Sequence, residues 1–243
     1  METVQLFITC LIDTFQPQIG EAVVETLTRC QVKVEFPTEQ TCCGQPAFNA
    51  GMRAEARRTA VHTIQVFENT TGPIVIPSGS CTAMIRHGYP ELFANDPQWL
   101  PRAKAIAQRT YEFTEFLVDH LGRTEFGVHF AGTITYHPSC HLLRGLGIDR
   151  QPRALLAQVQ DATLVELPHG EECCGFGGIF SVKHPEISTE MLQRKISNIQ
   201  ATNTPTVVVC DTGCLLHIRG GLHRRGAPQN IIHIAELLAK GSC

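Results

Sequence analysis

The sequence has no surplus of positive charge. Its 20 Lys and Arg face 23 Asp and Glu, for a formal net charge of −3. A basic footprint for nucleic acid is therefore missing. Long apolar runs are missing too: none reaches the roughly 18 residues that a bilayer-spanning helix needs. The opening "METVQLFITCLIDTF" has an acidic residue where a signal peptide needs positive charge, and no small-residue cleavage site. This points to a cytoplasmic chain and leaves attachment to a membrane through a partner open. No Gly-rich strand–helix turn with a following acidic residue occurs, so a nicotinamide or flavin site is unsupported. Disorder is excluded by composition, with 43% hydrophobic and 18% charged residues.

Against these absences stand 11 cysteines among 243 residues. A reducing compartment argues against a disulfide framework, which leaves metal binding or redox chemistry. The cysteines also reveal a duplication. Cys10 is followed by 31 residues, Cys42-Cys43, 37 residues and Cys81. Cys140 is followed by 32 residues, Cys173-Cys174, 39 residues and Cys214. The surroundings repeat as well: "VQLFITC" with "TITYHPSC", and "IVIPSGSC" with "VVVCDTGC". Each reads as a short buried strand with cysteine at or past its C-terminal end. "VKVEF" and "TLVEL" precede the two Cys-Cys-Gly loops, and a helical stretch follows each. "FTEFLVDHLG" and "HIAELLAKG" close the copies, with Glu115 matching Glu236.

Alternation of strand and helix predicts an α/β fold of two tandem repeats. Each is a small, mainly parallel sheet with flanking helices. The expected division is 1–125 and 126–243, with the joint around "HLGRTEFGVHFAG". Ligands of such sheets gather outside the carboxyl ends of the strands, where the cysteines lie.

Four thiolates per half suit an iron–sulfur cluster or a structural zinc. The ligands come from three separated loops rather than from a Cys-x2–4-Cys knuckle, apart from Cys210 to Cys214. Adjacent cysteines face one centre only if the backbone turns sharply, and Gly44 and Gly175 suit such a turn. Otherwise one cysteine of each pair serves a second metal or stays a thiol.

The doubled pattern, with "TCCGQPAFNAG", "PSGSCTAM", "YHPSCHLLRGL", "ECCGFGG" and "DTGCLLHI", resembles the cysteine-rich CCG family of iron–sulfur oxidoreductases over essentially the whole chain. That family includes the cysteine-rich subunit of heterodisulfide reductase and the iron–sulfur subunit of glycolate oxidase. The resemblance implies an electron-transfer subunit rather than a complete enzyme. It implies a multi-protein system that oxidises L-lactate to pyruvate, with a ferredoxin-like iron–sulfur protein and a third small subunit as partners. Carried over by position, the ligands are Cys10, Cys42, Cys43, Cys81, Cys140, Cys173, Cys174 and Cys214. In the heterodisulfide reductase relative each repeat ends in Cys-x-x-Cys; here Met84 and His217 replace the second cysteine. This favours one ordinary [4Fe–4S] cluster per half and puts noncubane clusters and disulfide cleavage in doubt. His217 is then a possible nitrogen ligand. Two other readings stand beside this one: a thiol/disulfide redox subunit using the vicinal cysteines, and a zinc-stabilised structural protein.

The other candidates divide more evenly. His137, His141 and His169 lie near cluster cysteines, either to donate to cluster sulfur or to hydrogen-bond within loops. Arg86, His87 and Arg144 suit a carboxylate, a negative cluster or plain solvent. His62, His120 and His129 read as packed or solvated. Cys210 reads as a buried strand residue, and Cys30 and Cys243 as structural or incidental.

Overall fold

The computed structural model describes residues 1–241. The first half contributes strands β1 (Thr3–Leu6), β2 (Lys33–Glu35), β3 (Ile74–Ile76) and β4 (Thr110–Glu112). The second contributes β5 (His129–His137), β6 (Gln160–Val165), β7 (Thr206–Val209) and β8 (Asn230–His233). They form two four-stranded sheets of equivalent order, β2-β1-β3-β4 and β6-β5-β7-β8. Every pairing is parallel, with Leu6 opposite Val75 and Tyr136 opposite Val208. The inner strands β3 and β7 are β-branched throughout and buried at every position. Burial on both faces is what a parallel sheet covered by helices requires.

The helices follow from apolar periodicity. Helix Pro185–Ala201 buries Ser188, Leu192, Lys195, Ile196 and Ile199 on one face. Helix Arg53–Glu68 is its counterpart in the first half. The copies differ after the third strand. In the second half one unbroken helix, Thr212–Arg224, leads from β7 toward β8. In the first half the same path is broken into Gly79–Ala83, a π-helical turn Met84–Gly88, Tyr89–Leu92 with Pro90, and Leu100–Gln108.

Each half lends its last helix to the other. Ile234–Leu238 packs on Pro17–Arg29, and Phe113–Glu115 packs on Arg150–Ala157. Arg29 secures the first contact by donating to the Ala239 carbonyl at 2.7 Å. Gln151 Nε2 secures the second, donating to Asp119 at 2.6 Å. One apolar cluster runs through both contacts, from Ile19, Val23 and Leu27 to Ile234, and from Phe113 and Phe116 to Leu155. Among the described residues no helix is long and apolar enough to cross a membrane.

The chain leaves β1 toward β2 on one side, while β3 lies on the other. The carboxyl ends of β1 and β3 therefore flank a topological switch point, as do those of β5 and β7. Cys10 and Cys81 follow the first pair of strands, and Cys140 and Cys214 the second.

Candidate metal centre

Each lone cysteine opens a helical turn. Thr9 caps the helix that begins at Cys10, its Oγ1 accepting from Ile12 N at 3.4 Å. Ser78 caps the helix containing Cys81. Ser139 Oγ accepts from Leu142 N at 3.3 Å beside Cys140. Asp211 caps the helix containing Cys214, accepting from Gly213 N at 3.0 Å. At these helix starts the thiols of Cys10 and Cys140 are pushed up, first by hydrogen bonds to Cys42 and Cys173 and then by burial.

Ser78 and Asp211 occupy equivalent positions, three residues before Cys81 and Cys214. They also meet. Asp211 Oδ2 accepts from Ser78 Oγ and from Ser80 N, both at 3.0 Å. Both residues are buried. This bridge holds the two switch points against each other, and Gln45 adds to it, its Nε2 3.3 Å from His141 Nε2 of the second half.

The vicinal pairs turn as the sequence implies. Gly44 has φ +85° and Gly175 φ +92°. Their N–H groups point back at Cys42 and Cys173 Sγ, both at 3.4 Å. A Cβ on Gly175 would sit 2.6 Å from the Ser188 carbonyl oxygen. The loops are anchored from outside. Tyr89 donates its hydroxyl to Cys43 O at 2.9 Å. Gln40 ties the first loop to β1, accepting from Ile8 N at 2.8 Å and donating to Leu6 O at 3.0 Å. In the second half Lys195 ties the loop to helix Pro185–Ala201 instead, donating to His169 O at 3.0 Å and Gly170 O at 3.2 Å.

All eight repeated cysteines line a single cavity of about 120 Å³. None of them forms a disulfide. Cys10 and Cys42 sulfurs lie 3.7 Å apart, Cys43 and Cys81 3.2 Å, and Cys174 and Cys214 3.3 Å. The outer thiols share protons unevenly. Cys42 is held well below the ordinary thiol range by hydrogen bonds from Cys10 and Cys43. Cys173 is held down likewise by Cys140 and Cys174. Their neighbours Cys43 and Cys174 are pushed up, first by those same thiols and then by burial. A cage of close thiols with some already inclined to ionise is suited to a soft cation.

The histidines separate. His137 is fully buried, and its imidazole lies within 4.8 Å of the Cys174 and Cys214 sulfurs. His141 lines the cavity, with Nδ1 3.7 Å from Cys140 Sγ and Nε2 3.3 Å from Gln45 Nε2. His217 lies against Phe176, and its Nε2 is 3.4 Å from Ser188 Oγ. His169 faces a surface hollow with Glu172 and Arg194. Arg86 is engaged by Glu115 at 3.0 Å, while His87 and Arg144 are exposed. His62, His120 and His129 pair at the surface with the Glu39 carbonyl, Glu2 and Asp161. Cys210 is buried, its Sγ 3.8 Å from the Tyr136 hydroxyl. Cys30 belongs to the apolar core, and Cys243 lies outside the described residues.

Sequence reasoning passed over Asp211, Ser78, Gln40 and Lys195. Lys195 had one signal, a charge on the apolar stripe of its helix between Leu192 and Ile199. The Ser78–Asp211 bridge had none, because its partners are 133 residues apart.

Two stretches, residues 4–86 and 134–219, match the family model described as a cysteine-rich domain, CCG. The chain belongs to the CCG family. The paired match takes in three of the four strands of each sheet, each stretch running from the first strand of a half past its last repeated cysteine. Within this family the chain is 49% identical over 235 residues to lactate utilization protein A of Bacillus pumilus. That alignment covers 97% of this chain and 98% of the relative. It is 46% identical over 242 residues to lactate utilization protein A of an Exiguobacterium species, covering 99% and 98%. Among solved structures, an aspartate racemase homologue from Pyrococcus horikoshii aligns with a TM-score of 0.35 at 10% identity, covering 99% of this chain and 96% of that one. Similarity at that level carries no functional argument.

Proposed function

We propose that this chain is the iron–sulfur subunit of a multi-protein system for lactate utilization, passing electrons during L-lactate oxidation to pyruvate. The observation that carries the reading is the convergence of two four-thiol sets on one cavity, in a CCG chain nearly half identical to lactate utilization protein A from end to end. Four soft thiol donors per half, gathered at a switch point, fit an iron–sulfur group. Cys10, Cys42, Cys43 and Cys81 would hold one [4Fe–4S] cluster, and Cys140, Cys173, Cys174 and Cys214 another. Such clusters, when bound, accept and release single electrons.

The chain's own residues supply the rest. Buried Cys43, Cys81, Cys174 and Cys214 keep water from the inner side of the cage. The Ser78–Asp211 bridge fixes the two cages at short range, which favours transfer between them. Removal of hydride from a hydroxy acid belongs to a flavin or nicotinamide partner, since no motif for either occurs in this sequence. The reading therefore includes a ferredoxin-like iron–sulfur protein and a third small subunit as partners, in the cytoplasm.

Anaerobic protein should contain iron and acid-labile sulfide and absorb broadly in the visible. Cys42→Ser and Cys173→Ser should each lower iron by about half, and the double variant should remove nearly all of it. Anaerobically reconstituted protein without iron and sulfide sinks the proposal.

One observation favours a second reading, a zinc-stabilised protein. Sulfurs 3.2–3.7 Å apart are near the roughly 3.8 Å that a tetrahedral ion with bonds of about 2.3 Å imposes. That reading predicts stoichiometric zinc, no colour, and unfolding on chelation.

A further inference from the structure

The two cysteine cages are not copies in one respect. His137 stands three residues before Cys140, and its counterpart three residues before Cys10 is Phe7. Both side chains are fully buried. Phe7 fills its place as an apolar ring, packed on Phe67 with centroids 5.6 Å apart. His137 fills the equivalent place with two polar atoms, and neither Nδ1 nor Nε2 has a hydrogen-bond partner. A buried imidazole without a partner is destabilising, and natural folds rarely keep one.

What the ring faces explains it. A ring nitrogen and the sulfurs of Cys174 and Cys214 all lie within 4.8 Å of one another, yet the nitrogen hydrogen-bonds neither sulfur. Such a gap suits an atom bonded to all three. Metal bonds of about 2.0–2.1 Å to nitrogen and 2.3 Å to sulfur hold donors on one tetrahedral ion about 3.6–3.8 Å apart, inside the 4.8 Å within which these three lie.

We propose that His137 supplies a nitrogen ligand to the metal centre of the second half, beside Cys174 and Cys214, whereas the centre of the first half is held by thiolates alone. The proposal rests on the iron–sulfur reading and deepens it. A neutral imidazole adds a nitrogen donor without adding negative charge to the four thiolates of that half.

The test uses the full chain, reconstituted anaerobically with ferrous iron and sulfide, half of it grown with ring-15N histidine. Pulsed electron paramagnetic resonance of the reduced protein should show a strongly coupled nitrogen that changes with the isotope. The coupling should persist in His141→Phe and His217→Phe and vanish in His137→Phe, which restores the residue type of the first half. Should that variant fold poorly, His137→Cys keeps a ligand in place and should retain iron while losing the nitrogen coupling. Iron present without nitrogen coupling in the unmodified chain, or coupling that survives in either His137 variant, overturns the assignment and leaves the iron–sulfur reading intact. Protein that takes up no iron and sulfide overturns both.

Discussion

Gly175 shows how much of the site depends on single backbone positions. Its φ of +92° and the 2.6 Å approach of Ser188 O to any Cβ exclude other residues. Gly175→Ala should lower unfolding free energy by about 2 kcal/mol or more and reduce iron in the second half. Gly51 also has a positive φ, +76°, but open space around it; Gly51→Ala should cost only about 1 kcal/mol. Denaturant melts of both variants check the contrast. A second residue pair answers to pH. Glu112 and His233 hold equivalent places, each a fully buried N-cap of a half's last helix. Burial pushes Glu112 from 4.5 up to about 7 and His233 from 6.5 down to about 4. Folded Glu112 keeps a proton that the unfolded chain has lost, so its contribution falls as pH rises from 4.5 through 7. Folded His233 refuses a proton that the unfolded chain takes, so its contribution falls as pH drops from 6.5 through 4. The two nearly cancel, each capped at about 3 kcal/mol. Relative to the unmodified chain, Glu112→Gln should gain stability from pH 5 to 8, and His233→Gln should gain it from pH 8 to 5. Urea unfolding at several pH values reads both, and parallel curves for the three proteins would count against the linkage.

At the scale of elements, the decisive feature is the pairing of two helix starts. Asp211 caps its own helix and also receives the Ser78 hydroxyl and the Ser80 N–H. Asp211→Ala removes a cap and two charge-assisted hydrogen bonds, so a loss of about 2–4 kcal/mol is expected. Because the bridge holds both switch points, iron should fall in both halves. Asp211→Asn keeps the cap and an acceptor, and should retain most of both. Iron analysis with thermal melts separates this from a local effect, in which only the Cys214 side would lose metal. The strands and long helices here were legible in sequence. β-branched runs such as "IVI" and "TVVV" can be little else between turns, and the apolar stripe of Pro185–Ala201 has helical period. The broken path from Gly79 to Gln108 was not legible. Its period is interrupted by Pro90 and a π turn, and its place is set by what it packs against.

At the scale of the molecule, the repeats trade helices. Ile234–Leu238 of the second half covers Pro17–Arg29 of the first, and Phe113–Glu115 covers Arg150–Ala157. One apolar cluster passes through both contacts. Residues 1–125 and 126–243, expressed separately, should each lack a cooperative melt. Mixed, they should recover helical circular dichroism and a single transition. A half that melts cooperatively alone would contradict the shared core.

Cysteine type, count and spacing, with the glycines after each pair, determined by themselves that the chain is a duplicated thiol cage on a parallel α/β frame. Those features are local, and local chemistry is readable: a β-branched run makes a strand, a positive φ calls for glycine, and four thiols suit a soft metal. Only the tertiary structure decided that both cages open on one cavity and that Asp211 of one half fastens Ser78 of the other. It alone separated the histidines, burying His137 against Cys174 and Cys214 while turning His169 outward. Spacing along a chain does not say which loops of the two halves meet. That is settled when the traded helices bury one apolar cluster across both halves and bring buried polar groups within reach of partners more than a hundred residues away.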